Sequence, residues 1–438
     1  MSLRRSRPSP SSRRHSRRRR SLALAATAAL AVALGAGVVA APAAAASTTS
    51  TTNSQGHRRD VRFYVPPPDP GAVQQIRSLV RSGDLKDAVG IARMVTTPQA
   101  VWFNGGTPAQ VRRDVHRTVQ AAARRHAVPI LVAYNLPFRD CAQYSAGGAT
   151  DTDAYLRWIS AFAAGIGRRP AVVILEPDGL GIIPNNTDLN GAKEWCQPTA
   201  PGATPQERYR ALNGAVDRLG AHSATKVYLD GTHSAWLGVG DIADRLVKAG
   251  VQRARGFFLN VSNFQTTSRQ LRYGTWISEC IAYATAVSDD AARTARFKAC
   301  ANQYYPADPN DESTWYKTDQ WYAANLGSAV PTAHFVIDTS RNGRGPWEAP
   351  ADHPAGDPEV WCNPPDRGLG LRPTTRTGNP LADAFLWIKT PGQSDGQCHR
   401  WTAGPVDPVR GIVDPPAGAW FPQMAIELVR NADPPIVR

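Results

Sequence analysis

The amino-acid sequence predicts an α/β fold in which seven parallel strands form a closed (β/α) barrel within a single domain. Short apolar segments of strand character alternate with longer segments of helical spacing, a pattern typical of parallel sheets. Polar residues follow almost every apolar segment, as they do at one face of such barrels. An open doubly wound sheet is the alternative. No Gly-x-Gly-x-x-Gly motif follows the first strand, however, which also argues against a dinucleotide-binding enzyme.

The first 46 residues are expected to be a secretory signal that is removed from the mature protein. Nine arginines precede an apolar segment at 21–40, and small residues follow at 41–46. The stretch 19–22 also permits twin-arginine export, and the apolar segment is just long enough for an uncleaved membrane anchor as the alternative. Residues 47–61 are rich in Ser and Thr and predict a disordered leader, so the folded domain is expected at 62–438.

Net charge does not indicate a nucleic-acid partner. The whole chain carries a formal charge of +14, but nine of its 50 basic residues belong to the predicted signal. The remaining 41 basic residues stand against 36 acidic ones, which leaves only +5. This ordinary balance, together with removal of the signal, predicts a secreted, extracellular protein that binds neither nucleic acid nor membrane.

The six cysteines indicate three disulfides, because an even number in an exported chain is typical of such bonds. Composition alone leaves 15 pairings open. Proximity in sequence favours Cys280–Cys300 and Cys362–Cys398, which leaves Cys141–Cys196. No Cys or His cluster has the spacing of a zinc site, so neither a metal nor another cofactor is expected.

Seven apolar segments predict the strands, and the segments between them predict helices. The strands are expected at 100–103, 130–135, 171–175, 226–229, 256–259, 334–337 and 384–388. Helices are expected at 108–126, 153–166, 205–219 and 242–249, with Thr107 and Thr204 as N-caps. A long, mostly helical insertion is expected at roughly 275–330.

Polar residues at the strand ends are the candidate functional residues, because the carboxyl ends of parallel strands meet at one face of a barrel. They are Asp140, Glu176, Asp178, Asp230, His233, Asn260, Asn263, Asp338, Lys389 and Asp395. Aromatic residues lie near them in the sequence: Trp102, Tyr134, Trp236, Phe264, Trp361 and Trp387. A single strand-end acid is more often part of a salt bridge, and a single aromatic more often core. Repetition along the chain favours a functional site.

Carboxylates among tryptophans predict a sugar site, since sugar C–H faces stack on indole rings and the hydroxyls need polar partners. Glycosidic cleavage needs a protonated carboxyl and a second carboxylate that acts as a nucleophile or through water. Asp140 and Asp178 are the candidate pair, because two adjacent carboxylates resist ionising together. A metal site using His233 is a weaker alternative, and a serine hydrolase is excluded by the absence of a Gly-x-Ser-x-Gly motif.

The chain resembles glycoside hydrolase family 6, the inverting cellulases, over nearly all of its predicted mature part. Two stretches carry the resemblance: Val132-Ala-Tyr-Asn-Leu-Pro-Phe-Arg-Asp-Cys141 with Ser145-Ala-Gly-Gly148, and Val173-Ile-Leu-Glu-Pro-Asp-Gly-Leu180. Three later stretches, at 228–238, 338–343 and 386–396, are also similar. The resemblance implies a distorted seven-stranded barrel and inverting hydrolysis of a β-1,4-glucan or cello-oligosaccharide.

The resemblance also implies a role for each matching residue. Asp178 resembles the general acid, Asp140 the neighbour that raises its pKa and organises water, and Asp395 the disputed base. Tyr134 matches a tyrosine under the distorted sugar. The matching sugar-binding positions are Trp102, Ser145, Asp230, His233, Trp236, Asn260, Trp361, Lys389 and Gln393. Disulfides Cys141–Cys196 and Cys362–Cys398 match the family, whereas Cys280–Cys300 is additional.

Two positions depart from the family. Gln393 replaces a glutamate that binds a sugar hydroxyl, so weaker sugar binding is expected, by about 1–3 kcal/mol for a lost charge-assisted bond. Replacing it by glutamate is therefore expected to tighten binding or raise activity. The serine that organises water is shifted, with Ser145 the nearest candidate and Ala146 in an alternative alignment. A catalytically weakened glucan-binding barrel is the resulting alternative.

The span from Cys362 to Cys398 is short for a loop that roofs the cleft, which favours an endo-acting enzyme over an exo-acting cellobiohydrolase. The insertion, with Trp315, Tyr316, Trp321 and Tyr322, is expected to be able to cover one end of the cleft. No carbohydrate-binding module is visible, so soluble or amorphous glucan is the expected substrate. A monomer is expected.

Overall fold

The computed structural model describes residues 60–351, 353, 356–400 and 402–437, and in this part of the chain seven strands form one sheet. Each strand pairs in parallel with the next in chain order, so that Val132 lies opposite Ile174 and Ile174 opposite Tyr228. The strands are β1 Val101–Phe103, β2 Ile130–Ala133, β3 Ala171–Leu175, β4 Thr225–Asp230, β5 Gly256–Leu259, β6 His334–Asp338 and β7 Ala382–Leu386. Their order never reverses, which excludes the doubly wound alternative and confirms the predicted fold class.

The two edges of the curled sheet, β1 and β7, are not joined by a strand ladder among the described residues. Two hydrogen bonds connect them at their ends. The Ala100 amide donates to the Trp387 carbonyl at 2.9 Å, and the Trp102 indole N–H donates to the Ile388 carbonyl at 2.9 Å. The distorted seven-stranded barrel implied by the family resemblance is therefore confirmed, whereas the closed barrel expected from the strand pattern has a seam between its first and last strands.

Ten α-helices accompany the strands in the described part of the chain. They are α1 Pro70–Ser82, α2 Leu85–Val95, α3 Pro108–Arg124, α4 Thr152–Ile166, α5 Pro205–Gly220, α6 Val239–Lys248, α7 Thr267–Thr285, α8 Asp290–Ala299, α9 Tyr316–Asn325 and α10 Pro422–Arg430. The expected caps are confirmed: Thr107 forms a capping box at α3, and the Thr204 hydroxyl accepts the Glu207 amide at 3.2 Å. Helices α1, α2 and α10 were not predicted.

Alternate residues of each strand face different parts of the core, as the two-residue period of a strand requires. Leu131 and Val173 pack against the surrounding helices in one apolar cluster. Val132 and Ile174, one position further along, pack inside the barrel in another cluster. Burial on both faces explains why these strands have apolar sequences without alternation.

The insertion between β5 and β6 has an aromatic core of its own. Trp276 of α7 packs against Trp315 with ring centroids 5.2 Å apart, and Trp315 and Tyr322 are each 1% exposed. Trp321 packs edge-on against Tyr283. The four aromatics expected to cover one end of the cleft are thus mostly packed within the insertion, because a helical excursion needs its own apolar core.

The structure also bears on the chain termini and the cysteines. The predicted signal, and all of the predicted leader except Asp60 and Val61, lie outside the described residues. Asp60 accepts hydrogen bonds from the Thr374 and Thr375 hydroxyls at 2.7 and 2.6 Å. Within the described ranges, no helix is long and apolar enough to cross a membrane. The three disulfides pair as expected: Cys141–Cys196, Cys280–Cys300 and Cys362–Cys398.

Candidate active site

Three acids of the candidate site leave their strands in a left-handed backbone conformation. The φ angles are +57° at Glu176, +62° at Asp178 and +59° at Asp140. This region is unfavourable for residues with a Cβ atom, and strain of this kind is concentrated at functional sites. The chain turns sharply here, so that side chains directly after the strands point to one face of the barrel.

Most strand-end acids join neighbouring strand ends by accepting backbone N–H groups. Glu176, after β3, accepts the amides of Asn135 and Leu136 after β2, at 2.7 and 3.0 Å. Asp230, at the end of β4, accepts the amides of Leu180 and Gly181 at 3.1 and 2.9 Å.

At the far side of the sheet, Asp338 of β6 accepts the amides of Ile388 and Lys389 after β7, at 3.1 and 2.9 Å. All three joining acids are at most 3% exposed. Glu176, Asp230 and Asp338 therefore have a structural role, because their hydrogen bonds hold neighbouring strand ends together.

Asp178 differs from these acids, since no donor among the described residues hydrogen-bonds to its carboxyl. Burial raises the pKa of Asp178 well above its usual value, and the nearby charges of Asp230 and Asp140 raise it further, against the opposing effect of Lys389. A carboxyl without donors gains little by ionising, which favours the protonated form of Asp178. The larger like-charge contribution comes from Asp230, whereas the sequence analysis named only Asp140.

Asp140 lies in the loop that follows β2, and its charge acts on Asp178, which follows β3. Its carboxylate accepts the Ser145 amide at 2.7 Å, while burial raises the pKa of Asp140 to about 6. The Tyr134 ring lies under the Arg139 guanidinium, 4.5 Å from its centroid. Burial, and then the charges of Asp178 and Asp140, raise the pKa of the Tyr134 phenol well above its usual value.

Asp395 lies in a cationic environment. Its carboxylate is 2.9 Å from Arg341 and 3.1 Å from Lys389, and it also accepts the Asn363 amide at 3.1 Å. Burial alone would raise the pKa of Asp395, but Arg341 and Lys389 outweigh it and hold the pKa below its usual range. Asp395 is therefore a fixed anion. Its ion pairs with Arg341 and Lys389 make Asp395 a weak base.

The sugar-binding candidates include four partly exposed ring side chains. Trp102 packs edge-on against Tyr134 at 5.4 Å, and Trp236 lies 5.7 Å from the His233 ring. A Cβ atom at Gly181 would lie 2.4 Å from the Trp236 ring, so only glycine permits this packing. Trp361 donates its indole N–H to the Pro358 carbonyl at 3.1 Å.

Burial of His233 lowers its pKa to about 4, so its imidazole is neutral at ordinary pH. By contrast, two further aromatics near the strand ends, Trp387 and Phe264, are at most 2% exposed and belong to the core. Trp102, Trp236 and Trp361 are therefore exposed enough to stack on a sugar ring, whereas Trp387 and Phe264 are too deeply buried to do so.

Two other sugar-binding candidates have protein partners here. Asn260 is 0% exposed and donates to the Asp338 carbonyl at 3.0 Å, so this geometry gives no support to direct sugar contact. The Gln393 side chain donates to the Asp69 carboxylate at 3.0 Å. Asp69 is the N-cap of α1, a helix that the sequence analysis did not predict.

Two functional candidates were missed in the sequence. Arg341, which fixes Asp395, lies in the 338–343 stretch that was noted only as similar to the family. Tyr144 donates its hydroxyl to Glu359 at 2.8 Å and packs so closely on Gly396 that a Cβ atom there would lie 2.4 Å from it. Tyr144 thereby ties the Asp140 loop to the segments on both sides of β7. Only its position between Asp140 and Ser145 could have indicated this.

One group of potential metal ligands occurs in the described part of the chain, formed by Cys398, Asp407 and Asp414. Cys398 is in a disulfide with Cys362, and Asp407 is paired with Arg400 at 2.9 Å. These partners occupy the atoms that a metal would need. The site instead combines one carboxyl of raised pKa with nearby anions and aromatic surfaces, a combination that defines the class of barrel glycoside hydrolases.

Comparison with known proteins agrees with this class. Residues 58–432 match the family described as "Glycosyl hydrolases family 6", and the chain belongs to this family. Endoglucanase A of Thermobispora bispora is 34% identical over 382 residues, which are 86% of this chain and 64% of that protein. The chain thus spans less than two thirds of that relative's length.

A second relative, probable 1,4-beta-D-glucan cellobiohydrolase C of Neosartorya fischeri, is 32% identical over 364 residues, which are 77% of this chain and 70% of that protein. Among solved structures, endoglucanase Cel6 of Mycobacterium tuberculosis in complex with a methyl-cellobiosyl-thio-cellobioside is 34% identical, with a TM-score of 0.60. The match covers 85% of this chain and 97% of that one. The predicted family is confirmed.

Proposed function

We propose that this protein is a secreted β-1,4-glucanase that hydrolyses cellulose or a related β-glucan by internal cleavage, with inversion at the anomeric carbon. The observation that carries the proposal is the Asp178 carboxyl, which is buried among anions and accepts no hydrogen bond from the described residues. Such a group delivers a proton to the leaving glycosidic oxygen. Relatives named endoglucanase and a neighbour solved with a cellobiose-based thio-oligosaccharide support a glucan substrate.

Inversion requires a water molecule on the opposite face of the sugar from the acid. Asp140 is suited to orient that water, because Ser145 fixes its carboxylate and its pKa of about 6 makes it a better proton acceptor than Asp395. Asp395, held by Arg341 and Lys389, supplies a permanent negative charge that stabilises the oxocarbenium-like transition state. In this mechanism the proton of the attacking water is relayed to the Asp140 carboxylate rather than transferred directly to Asp395.

Internal cleavage is supported by how the chain continues after Asp395. Only two residues separate Asp395 from Cys398, which is bonded to Cys362. This segment is too short to pass over a polysaccharide chain and return, so it does not roof the cleft. An exo-acting cellobiohydrolase is the second candidate, because several relatives carry that name.

The proposal is tested by proton NMR of cellohexaose immediately after the mature protein is added. Newly formed α-anomer is expected, with early products of several lengths. Newly formed β-anomer would contradict inversion, and cellobiose as the only early product would favour exo action. Absence of cleavage would support the alternative of a glucan-binding barrel, which the Gln393 substitution leaves open.

A further inference from the structure

The insertion presents an exposed aromatic turn beside the candidate cleft. Tyr305 is 78% exposed and its neighbour Tyr304 is 43% exposed. A single exposed aromatic is common on protein surfaces and by itself carries no meaning. These two lie in the segment after Cys300, which forms the disulfide additional to the family pair. The turn therefore lies in the insertion between β5 and β6, outside the candidate active site.

The backbone of this turn is fixed by its own hydrogen bonds. The Asn302 side chain accepts the amides of Tyr304 and Tyr305 at 2.8 and 3.0 Å, and the Asn302 amide donates to the Tyr305 carbonyl at 2.9 Å. The Thr318 hydroxyl of α9 donates to the Asn302 carbonyl at 2.9 Å. Because the turn is ordered in advance, its aromatic rings can bind a ligand with little loss of conformational entropy.

The turn is attached to the segment that carries Trp236. The Tyr304 hydroxyl donates to the Trp236 carbonyl at 2.9 Å. The buried Gln303 side chain donates to the next carbonyl, that of Leu237, also at 2.9 Å. On its other side the Trp236 ring packs on Gly181, three residues after Asp178. Contacts thus lead from Gly181, in the loop of Asp178, through Trp236 to Tyr304, which precedes Tyr305 in the chain.

We propose that Tyr305, whose backbone is fixed by Asn302, forms an additional outer subsite for a glucosyl unit of a β-1,4-glucan chain that extends beyond Trp236. The ring of Tyr305 offers an apolar face for the C–H surface of a sugar and a hydroxyl for its polar edge. This subsite rests on the proposed glucanase function and adds to it a preference for longer chains. The insertion thereby contributes binding surface at one end of the cleft.

The test compares long and short cello-oligosaccharides with the full mature protein and its Tyr305→Ala variant. The expected result is a fall in kcat/KM for cellohexaose by about threefold to tenfold, the size of one lost aromatic contact. The value for cellotriose should stay unchanged, because a short ligand that fills the site around Asp178 does not reach the outer subsite. Tyr305→Trp should retain or strengthen the preference for the longer substrate.

Tyr316→Ala is the matched control, because Tyr316 is a 49% exposed tyrosine of the same insertion and, within the described part of the chain, has no hydrogen bond to the Trp236 segment. It should leave both rates unchanged. Equal losses of Tyr305→Ala on both substrates, or no loss on cellohexaose, would overturn the subsite while the glucanase function stood. A parent protein that cleaves neither substrate would overturn the proposed function and the subsite with it.

Discussion

Gln393 donates a hydrogen bond of 3.0 Å to the carboxylate of Asp69, which also caps helix α1 by accepting the Gly71 amide at 2.7 Å. The glutamine thus has an acidic partner more than 300 residues away in sequence. From the sequence alone, this position shows only a missing glutamate. In the fold, the negative charge at this place is supplied by Asp69 instead.

Gln393→Glu alone is therefore expected to bring no gain in activity, since the new carboxylate would face Asp69. Loss of the hydrogen bond and repulsion should lower the free energy of unfolding by about 1–2 kcal/mol. The sequence alone predicts that a glutamate at position 393 strengthens sugar binding. In the structure, this gain also requires that the charge of Asp69 be removed. Urea denaturation and kcat/KM on cellohexaose provide the two measurements.

The double variant Asp69→Asn/Gln393→Glu should recover the lost stability, because asparagine is a good N-cap and its amide can donate to the new glutamate. Tighter sugar binding by the introduced glutamate should then become measurable, with Asp69→Asn alone as the control. If the single Gln393→Glu variant were as stable as the parent and more active, the hydrogen bond between Gln393 and Asp69 would contribute nothing to the stability of the protein.

Asp178→Ala is expected to lower the rate of hydrolysis of an unactivated cello-oligosaccharide by about 10²–10⁴-fold, the usual contribution of a general acid. An aryl cellobioside with a good leaving group should lose much less, because its departure needs little protonation. Thermal unfolding should show an intact fold, since no hydrogen bond of the described chain depends on this carboxyl. Near-normal rates on the unactivated substrate would remove Asp178 from its role.

Asp140→Asn is expected to move the alkaline limit of activity to lower pH. Asp178 works in its protonated form, so activity is lost as the pH rises through its pKa in the folded protein. Removing the negative charge of Asp140 lowers that pKa. The midpoint of the alkaline limb of kcat/KM against pH reports the change. Asp153→Asn, an exposed acid on α4, should leave the midpoint unchanged; an upward shift in Asp140→Asn would contradict the electrostatic explanation.

Glu279→Gln is expected to stabilise the protein at pH 7 and to have little effect at pH 4. Burial, with Asp319 nearby, raises the pKa of Glu279 from 4.5 to about 7. Between these values the folded state binds more protons than the unfolded state, so stability falls as the pH rises through this window. The gain at pH 7 should be roughly 1–2 kcal/mol, allowing for partial exposure. Urea denaturation at both pH values measures it, and an equal effect at the two would exclude this cause.

The sequence by itself determined the parts of the structure that depend on local pattern. The apolar segments predicted the seven strands to within two residues at either end, and Thr107 and Thr204 predicted two helix starts. The 173–180 motif was enough to indicate the family and the acid Asp178. These features could be predicted because strand burial, helix capping and motif chemistry are encoded in neighbouring residues.

Only the tertiary structure decided which strand-end carboxyl accepts hydrogen bonds from backbone amides and which accepts none from the described residues. Glu176 and Asp178 stand two residues apart in one motif, yet Glu176 accepts two amides from the end of β2 and Asp178 accepts none from the described residues. Likewise, Asp395 became a fixed anion through Arg341, and Gln393 acquired Asp69 as its partner. The pKa of a carboxyl depends on burial and on charges brought from distant strands, and no local pattern of residues specifies those neighbours.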